Sequence, residues 1–271
     1  MSGPARRERR RAQRRVLRQD QGSVPIGRLP SRWFYAPFDA WLPDVILLPA
    51  REAHHAVKVM RIAAGESITV TDGEGRAAAC TVEVDGERVI ARIGEVVEKA
   101  APTPRLGVFQ AAAKGHKLDD VVERLAELGV ARFSCFTSTR TVARWDRDKT
   151  DKLMDRWGGI ARAAAKQSRR PHLMRLEAGW TWSALVEATS ASESALLLWE
   201  GASAPLRAAL PDAPGSIDII VGPEGGFSSD EADELVAAGA AAVSLGDAVL
   251  RTENAALVTA SAVSFHYGLI G

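Results

Sequence analysis

Residues 217–228 read Ile-Asp-Ile-Ile-Val-Gly-Pro-Glu-Gly-Gly-Phe-Ser, and their pattern is the strongest indication of the fold. Its apolar first half predicts a buried strand over 217–221, which runs into a turn containing three glycines. The residues Ser-Ser-Asp-Glu at 228–231 then form the capping-box pattern that opens a helix. A strand, a tight turn and a helix in this order are typical of an α/β domain with a mainly parallel sheet.

The glycine-rich turn at 222–226 is also a candidate binding loop. Ligands of open α/β sheets bind at the carboxyl ends of the strands, and glycines there let the backbone approach a ligand closely. An ordinary strand-to-helix turn would explain one glycine, but it does not require Gly-Pro-Glu-Gly-Gly. The spacing excludes the G-x-G-x-x-G dinucleotide fingerprint, and the absence of a following Gly-Lys-Ser/Thr excludes a phosphate loop.

A second stretch of the same kind occupies residues 245–256, Leu-Gly-Asp-Ala-Val-Leu-Arg-Thr-Glu-Asn-Ala-Ala. A predicted strand again ends in glycine, and a loop leads into a predicted helix. Arg251 and Glu253 lie at the junction of that loop and helix. Arg251 could be a simple ion-pair partner, but we favour a functional role for it. Glu253 is explained equally well as a first-turn acidic residue that favours the helix dipole.

The same alternation of strands and helices extends over residues 102–271. The pattern predicts strands over 106–111, 132–137, 195–199, 217–221 and 242–245, and helices over 118–128, 149–168 and 253–267. A further helix is predicted between Ser228 and Gly239. The sequence therefore predicts an α/β domain over 102–271 that carries both candidate loops.

The residues upstream follow a different pattern. Short apolar runs at 33–35, 45–48, 67–71, 77–84 and 88–93 are separated by tight-turn signals such as Asp72-Gly73 and Asp85-Gly86. They predict a small all-β unit over 31–101, most simply a barrel, with one short helix at 52–60. Residues 1–30 lack hydrophobic periodicity, and we predict a flexible, arginine-rich arm there.

Composition restricts the class of protein. Of 271 residues, 46% are hydrophobic and 25% are charged, which is typical of a soluble protein with a substantial core. We expect no membrane span and no secretory leader, because no apolar run is long enough for the first and the N-terminus is a run of arginines. Cys80 and Cys135 are interpreted as reduced core thiols of a cytoplasmic protein, not as a disulfide or metal site.

Charge is distributed unevenly along the chain. Residues 1–32 hold ten arginines against Glu8 and Asp20, although the whole chain carries a net charge of only +1. A basic arm on a mildly acidic body indicates a polyanionic partner, most simply nucleic acid. A solvated tail that only improves solubility is the alternative interpretation.

Several ordered motifs resemble one family, the RsmE-type enzymes of the SPOUT superfamily, over residues 31–271. Val-Gly-Pro-Glu-Gly-Gly-Phe-Ser at 221–228 and Leu-Gly-x-x-x-Leu-Arg-Thr-Glu at 245–253 carry the resemblance. Arg-Trp-Phe-Tyr at 32–35, His-Ala-Val-Lys-Val-Met-Arg at 55–61 and Lys-Gly-His-Lys at 114–117 match three further elements. Asn254 and Lys166 depart from the family pattern, which has threonine and glutamate there, and the arginine-rich arm lies outside it.

The resemblance implies a SPOUT-type α/β domain with a C-terminal trefoil knot, preceded by a PUA-like β-barrel domain that helps to hold RNA. It implies a homodimer that needs no metal and uses S-adenosylmethionine to methylate N3 of a specific uridine in the 16S ribosomal RNA of the small subunit. The alternatives are a SPOUT methyltransferase acting on another RNA site and an RNA-binding factor that has lost catalysis.

The resemblance also implies the site residues. Arg251 is the candidate for stabilising a uridine anion, because guanidinium donors match two acceptors, and Glu253 is a candidate base or an orienting partner of Arg251. The cofactor-binding candidates are Leu198, Trp199, Glu200, Gly201, Val221, Gly222, Pro223, Glu224, Gly225, Gly226, Leu245, Gly246, Val249, Leu250, Arg251, Ala255 and Ala256. Each RNA-binding candidate could instead be a solvated surface charge; the candidates are Arg32, Arg61, Lys114, Lys117, Lys166, Arg169 and Arg170. We expect no metal site, because the adjacent His54 and His55 point in different directions.

Overall fold

The computed structural model of the protein describes residues 26–113, 116–139, 141 and 147–271. The chain divides into two compact units. The first contains the described residues up to Thr71 together with Arg76–Lys99, and the second contains Asp72–Gly75 together with Ala100–Gly271. Within the described ranges, no helix is long and apolar enough to cross a membrane.

The first unit contains five strands, β1 (Trp33–Tyr35), β2 (Val45–Leu47), β3 (Ser67–Thr71), β4 (Arg76–Asp85) and β5 (Arg88–Glu98). They form one sheet in the order β1-β3-β4-β5-β2, in which β1 runs parallel to β3 and the other pairs are antiparallel. Helix α1 (Ala50–His54) continues as a π-helical turn (His55–Val59), so the helix predicted at 52–60 begins two residues earlier. The fully buried Phe34, Ile46 and Ile68 belong to the core of this unit.

The end of the predicted arm is folded. Residues Ile26–Arg28 form a 3₁₀ turn, and Leu29 is buried against Trp33, Ala77 and Val97. The prediction of a flexible segment up to residue 30 is therefore wrong for 26–30, because burying an apolar side chain such as Leu29 stabilises this segment. The rest of the predicted arm lies outside the described residues.

The second unit alternates strands and helices. In chain order it contains β6 (Arg105–Ala111), α2 (Lys117–Leu128), β7 (Arg132–Phe136), α3 (Arg147–Gln167), β8 (Arg175–Trp180), α4 (Trp182–Ala191), β9 (Ala195–Leu198), α5 (Leu206–Ala209), β10 (Ser216–Val221), α6 (Ser229–Ala237), β11 (Ala240–Val243) and α7 (Thr252–His266). The strands form a six-stranded sheet in the order β11-β9-β10-β6-β7-β8, and each neighbouring pair is parallel. The prediction of an α/β fold with a parallel sheet is confirmed.

Helices cover both faces of this sheet. Successive side chains of a strand point to opposite faces, and Val108 and Phe109 of β6 accordingly join two different core clusters. Val108 packs in the cluster that includes residues of α2, α3 and α7, whereas Phe109 packs with residues of α4 and α6. Both faces are buried, which explains why the central strands are continuous apolar runs.

The strand order contains a reversal that positions the site. From β6 the chain proceeds outward through β7 to β8, and it then returns to build β9, β10 and β11 on the other side of β6. The neighbours β6 and β10 therefore mark the point at which the winding of the sheet changes direction. Ligands of open α/β sheets bind outside the carboxyl ends of the strands at such a point.

Two parts of the second unit differ from the sequence predictions. Strand β8 and the helices α4 and α5 were not predicted, and β8 is an edge strand of partly exposed residues without clear alternation. The strand predicted at 242–245 lies instead at Ala240–Val243, because its pairing with β9 sets the register, with Ala240 opposite Ala195 and Val243 opposite Leu198.

Candidate functional site

A cavity of about 680 Å³ opens at the carboxyl ends of β9, β10 and β11. Its walls are the three loops that follow these strands, together with Lys117 at the start of α2 and the first turn of α7. This volume lies within the range of sites that hold cofactors and drug-sized ligands. Both glycine-containing stretches singled out in the sequence contribute to it.

The loop after β10 presents its backbone to the cavity. A Cβ atom on Gly222 would lie 3.0 Å from the ring of Phe227, so a larger residue would displace either the loop or that ring. Gly226 has a φ of +66°, a conformation that side chains rarely adopt, and its N–H donates to the carbonyl of Pro223 over 2.9 Å. The loop is thus a narrow turn whose shape depends on its glycines.

Helix α6 anchors the far end of this loop. The Ser228 hydroxyl accepts from the Glu231 N–H, and the Glu231 carboxylate accepts from the Ser228 N–H, which completes the predicted capping box. Glu231 also accepts from the N–H and the hydroxyl of Thr139, which ties the loop after β7 to the same helix end. Burial acts to raise the pKa of Glu231, but these hydrogen bonds hold it below its usual value.

Thr252 joins the two candidate loops. Its hydroxyl donates to the carbonyl of Gly222 over 2.5 Å, and it accepts from the side-chain amide of Gln110 in β6 over 2.8 Å. Thr252 and Gln110 are both buried. Neither residue was predicted to belong to the site, although Thr252 lies between Arg251 and Glu253 in the sequence.

Charged side chains of both signs line the cavity. Lys117 donates to Glu224 over 2.9 Å. This hydrogen bond and the charge of Glu224 raise the pKa of Lys117. Glu253 makes a smaller contribution in the same direction, and the charge of Arg251 opposes it. Lys117 was predicted to contact RNA, but its ammonium is paired with the glycine-rich loop. The remaining acidic side chains of the lining are Glu200 and Asp247.

Most of the predicted cofactor-binding residues meet at this cavity. Those lining it are Leu198, Trp199, Glu200, Val221, Gly222, Pro223, Glu224, Gly226, Leu245, Gly246, Val249, Leu250, Arg251 and Ala255, and the predicted catalytic Glu253 lines it as well. Three predicted residues lie outside the lining: Gly201, Gly225 and Ala256, the last of which is fully buried in the core. The sequence analysis missed Ala202, Phe227, Val243, Ser244, Asp247, Ala248 and Thr252. Each of them is within two residues of a predicted position, which is the only signal the sequence offered.

The predicted RNA-binding residues are divided between the two units. Arg32 pairs with Glu66 in the first unit, where Arg61 is exposed with a φ of +53°. In the second unit Arg169 is exposed and Lys166 is half-buried near the end of α3. Lys114 lies outside the described residues.

Arg170 has a structural role that the sequence did not predict. Its Nε donates to the carbonyl of Glu127 over 2.5 Å at the carboxyl end of α2, and burial lowers its pKa. The guanidinium therefore satisfies a helix end that would otherwise expose its carbonyls. In the part of the chain that is described, no group of three or more His, Cys, Asp and Glu side chains could hold a metal ion.

Known protein families are similar to both units of this chain. Residues 99–264 match the family described as RNA methyltransferase domain, and residues 48–94 match the RNA methyltransferase PUA domain. The chain is 36% identical over 230 residues to the ribosomal RNA small subunit methyltransferase E of Mycobacterium bovis, with 82% of this chain and 88% of the relative covered. Its counterpart in Bacillus subtilis is 28% identical over 82% of this chain and 91% of the relative.

Two similar solved structures contain a cofactor. A methyltransferase from Legionella pneumophila, solved with bound S-adenosylmethionine, has a TM-score of 0.80 and 29% identity over 88% of this chain and 98% of that one. The ribosomal RNA small subunit methyltransferase E of Neisseria gonorrhoeae, also bound to S-adenosylmethionine, has a TM-score of 0.76 and 26% identity over 87% and 97% of the two chains. The similarity thus covers the described parts of both units.

Proposed function

This chain belongs to the RNA methyltransferase family, and from that premise we propose that it binds S-adenosylmethionine in the cavity and methylates a uridine of small-subunit ribosomal RNA at N3. The use of S-adenosylmethionine and of ribosomal RNA follows from the family and the relatives. The choice of uridine N3 is the finer part of the proposal. The observation that carries the proposal as a whole is that both glycine-containing loops, Arg251 and Glu253 line one cavity.

The residues of the cavity fit S-adenosylmethionine. The narrow turn at Gly222 brings backbone groups to the surface of the cavity without a side chain in between, which suits the polar edges of a nucleoside and an amino acid. Trp199, Leu245 and Leu250 supply apolar surface for a flat base. We assign binding to the loops that contain residues 198–202, 221–226 and 243–251.

Bound S-adenosylmethionine supplies a methyl group on a positively charged sulfur, which needs no further activation. The protein must therefore hold the acceptor in line and make uridine N3 nucleophilic, since that nitrogen carries a proton at neutral pH. Positioning alone contributes several kcal/mol to such a reaction. No metal is required for either task.

We assign the activation of uridine N3 to residues at the start of α7. Arg251 presents a planar set of donors beside the cavity, which matches the charge that spreads over O2 and O4 when N3 loses its proton. Glu253 accepts that proton or holds the guanidinium in place. Lys117 and Glu224, which pair over 2.9 Å, line the same cavity.

We also propose the finer architectural features of the family for this chain. The first unit would act as a PUA-like barrel that holds RNA, which agrees with the family match over 48–94. We carry the C-terminal trefoil knot over from the family resemblance and assign it to the loop before α7, the helix that packs on α2, β6 and β10. Its exposed side chains Val258 and Phe265 support a homodimer. A cytoplasmic location follows from the proposed substrate.

The proposal is tested on small ribosomal subunits that lack the modification. We would incubate them with the protein and labelled S-adenosylmethionine, and then map the labelled nucleoside by mass spectrometry. The expected result is one N3-methyluridine near the 3′ end of the small-subunit RNA. Label at another nucleoside of that RNA would contradict the uridine assignment. Transfer to added transfer RNA and not to the subunits would contradict the ribosomal substrate, and cofactor binding without transfer to either RNA would indicate a binding protein.

A further inference from the structure

A buried chain of two hydrogen bonds connects three distant segments of the second unit. Gln110 lies near the end of β6, Thr252 is the first residue of α7, and Gly222 begins the glycine-rich loop. The Gln110 amide donates to the Thr252 hydroxyl, which donates to the Gly222 carbonyl. We refer to these three residues as the relay.

The chemistry of the three groups determines the direction of the relay. A backbone carbonyl only accepts, so the single hydroxyl proton of Thr252 must point at Gly222. The lone pairs of that hydroxyl then face Gln110, which must present its NH₂ group and not its oxygen. A side chain at position 110 that only accepts would therefore break the relay, even if it had the shape of glutamine.

The buried side chain of Gln110 has an energetically unfavourable feature. Its side chain is fully buried, and among the described residues its Oε1 atom has no hydrogen-bond partner. A buried polar atom without a partner is unfavourable, and an apolar residue of similar shape would avoid it. The donor on the other side of the same amide is thus the reason for having glutamine inside this strand.

The relay is placed where it can control the reacting groups. Arg251 and Glu253 flank Thr252, and the loop before them is exposed from Gly246 to Val249, the latter by 86%. The exposed loop offers little packing to hold Arg251 in place. Thr252 is therefore the nearest buried attachment of Arg251 and Glu253, and it attaches them to Gly222 of the cofactor loop.

We propose that Gln110 and Thr252 are positioning residues that set Arg251 and Glu253 relative to the bound methyl donor. The inference rests on the proposed function, since it assigns a purpose within that reaction. It predicts that the relay affects the rate of methyl transfer more than the affinity for S-adenosylmethionine. Substitution of a residue that only stabilises the fold would change neither the rate of methyl transfer nor the affinity for S-adenosylmethionine in the folded protein.

The test compares two buried threonines of α7. Thr252→Val removes the hydroxyl of the relay at constant shape, and Thr252→Ser keeps it. Thr259→Val is the matched control, because Thr259 is fully buried on the same helix and, within the described chain, its hydroxyl has no partner. Each full-length variant is assayed for single-turnover methyl transfer to small subunits, for S-adenosylmethionine affinity by calorimetry, and for amide hydrogen exchange.

We expect Thr252→Val to slow single-turnover transfer by at least about tenfold at saturating cofactor and RNA, while its affinity for S-adenosylmethionine changes by less than about threefold. Amide exchange should accelerate in both 222–226 and 253–256. Thr252→Ser should recover most of the rate, and Gln110→Met, which removes the amide donor without burying a carboxyl group, should resemble Thr252→Val. Thr259→Val should match the unmodified protein in all three measurements.

Three results would overturn the inference: an unchanged rate in Thr252→Val, a loss of affinity with an unchanged rate, or equal effects of the valine variants at positions 252 and 259. Failure of the proposed function is distinguishable from these. If the unmodified protein transfers no methyl group, the proposed function is wrong, and amide exchange alone then decides whether the relay couples the two segments.

Discussion

At the scale of single residues, the function depends on a few side chains whose surroundings set their chemistry. Arg251 is exposed and lines the cavity at the amino end of α7. Such a guanidinium can donate to a planar acceptor without first breaking a buried contact. The two cysteines, in contrast, are buried, and burial suppresses the ionisation of their thiols on which reactivity depends.

Replacement of Arg251 by alanine is expected to lower the single-turnover rate of methyl transfer by about 100-fold, which is the usual effect of removing one donor to a developing anion. Binding of S-adenosylmethionine should change much less. The matched control is Arg207→Ala, which removes an exposed arginine of α5 outside the cavity lining. Full transfer by Arg251→Ala with normal RNA affinity would show that another group stabilises the anion.

The thiols of Cys80 and Cys135 should be inert in the folded protein. Burial raises the pKa of Cys80 to about 12 and that of Cys135 well above its ordinary value. At pH 8 the thiolate, which is the reactive form, is then negligible in the folded state. We expect no reaction with a disulfide reagent at pH 8, and reaction of both thiols once denaturant unfolds the chain. Rapid labelling of native protein would show that one cysteine is accessible.

At the scale of elements, helix ends connect the sheet to the site. Helix α6 begins with a capping box directly after the glycine-rich loop, and α2 ends at Gly129, where Arg170 satisfies a carbonyl. The capping box is a local pattern, and it was predicted correctly. The contribution of Arg170 was not, because it arrives from a position 43 residues further along the chain.

Glu231 should make stability depend on pH. Its folded pKa lies below that of the unfolded chain, so its contribution is present above the unfolded pKa and is lost as the pH falls through the folded value. Glu231→Gln should lower the free energy of unfolding by about 1–2 kcal/mol at pH 7. Urea unfolding should show this difference shrinking below a pH of about 4.

The control for Glu231 is Asp230→Asn, in the same first turn but exposed. It tests the helix dipole alone, for which we expect about 0.5 kcal/mol. Equal losses for the two variants would mean that the hydrogen bonds of Glu231 to Ser228 and Thr139 add nothing. A difference that persisted at low pH would show that the carboxylate charge is not involved.

At the scale of the whole molecule, α7 combines two tasks. One side of it is buried against the sheet through Ala256, Ala260 and Val263, and the first turn forms part of the cavity. The other side exposes Val258 by 46% and Phe265 by 72%. Exposed apolar side chains in a row on one helix are typical of an interface between subunits.

Phe265→Asp is therefore expected to convert the proposed dimer into a monomer, measured by light scattering after gel filtration. Phe38→Asp is the matched control, since Phe38 is 67% exposed but belongs to the first unit. The buried side of α7 is unchanged by the first substitution, so the monomer should stay folded. If both variants kept the mass of the unmodified protein, the dimer would use another surface.

The features that could be predicted from the sequence and those that appear only in the folded chain have different physical origins. Sequence patterns alone predicted the alternation of strands and helices, the glycine-rich turns and the capping box, because these depend on side-chain periodicity and turn chemistry within a few residues. They also indicated most of the cavity lining, since each binding loop directly follows a strand. They missed β8 and α4, where the apolar pattern is weak, and they misplaced β11 by two residues.

Which loops meet depends on the order of the strands in the folded sheet. The order β11-β9-β10-β6-β7-β8 places β6 beside β10, although three strands (β7, β8 and β9) and four helices (α2 to α5) lie between them in the chain. Gln110 thereby reaches Thr252, 142 residues away, and Lys117 reaches Glu224. Such pairs leave no local trace in the sequence, because a hydrogen bond depends on where two atoms lie in space and not on how far apart they are along the chain.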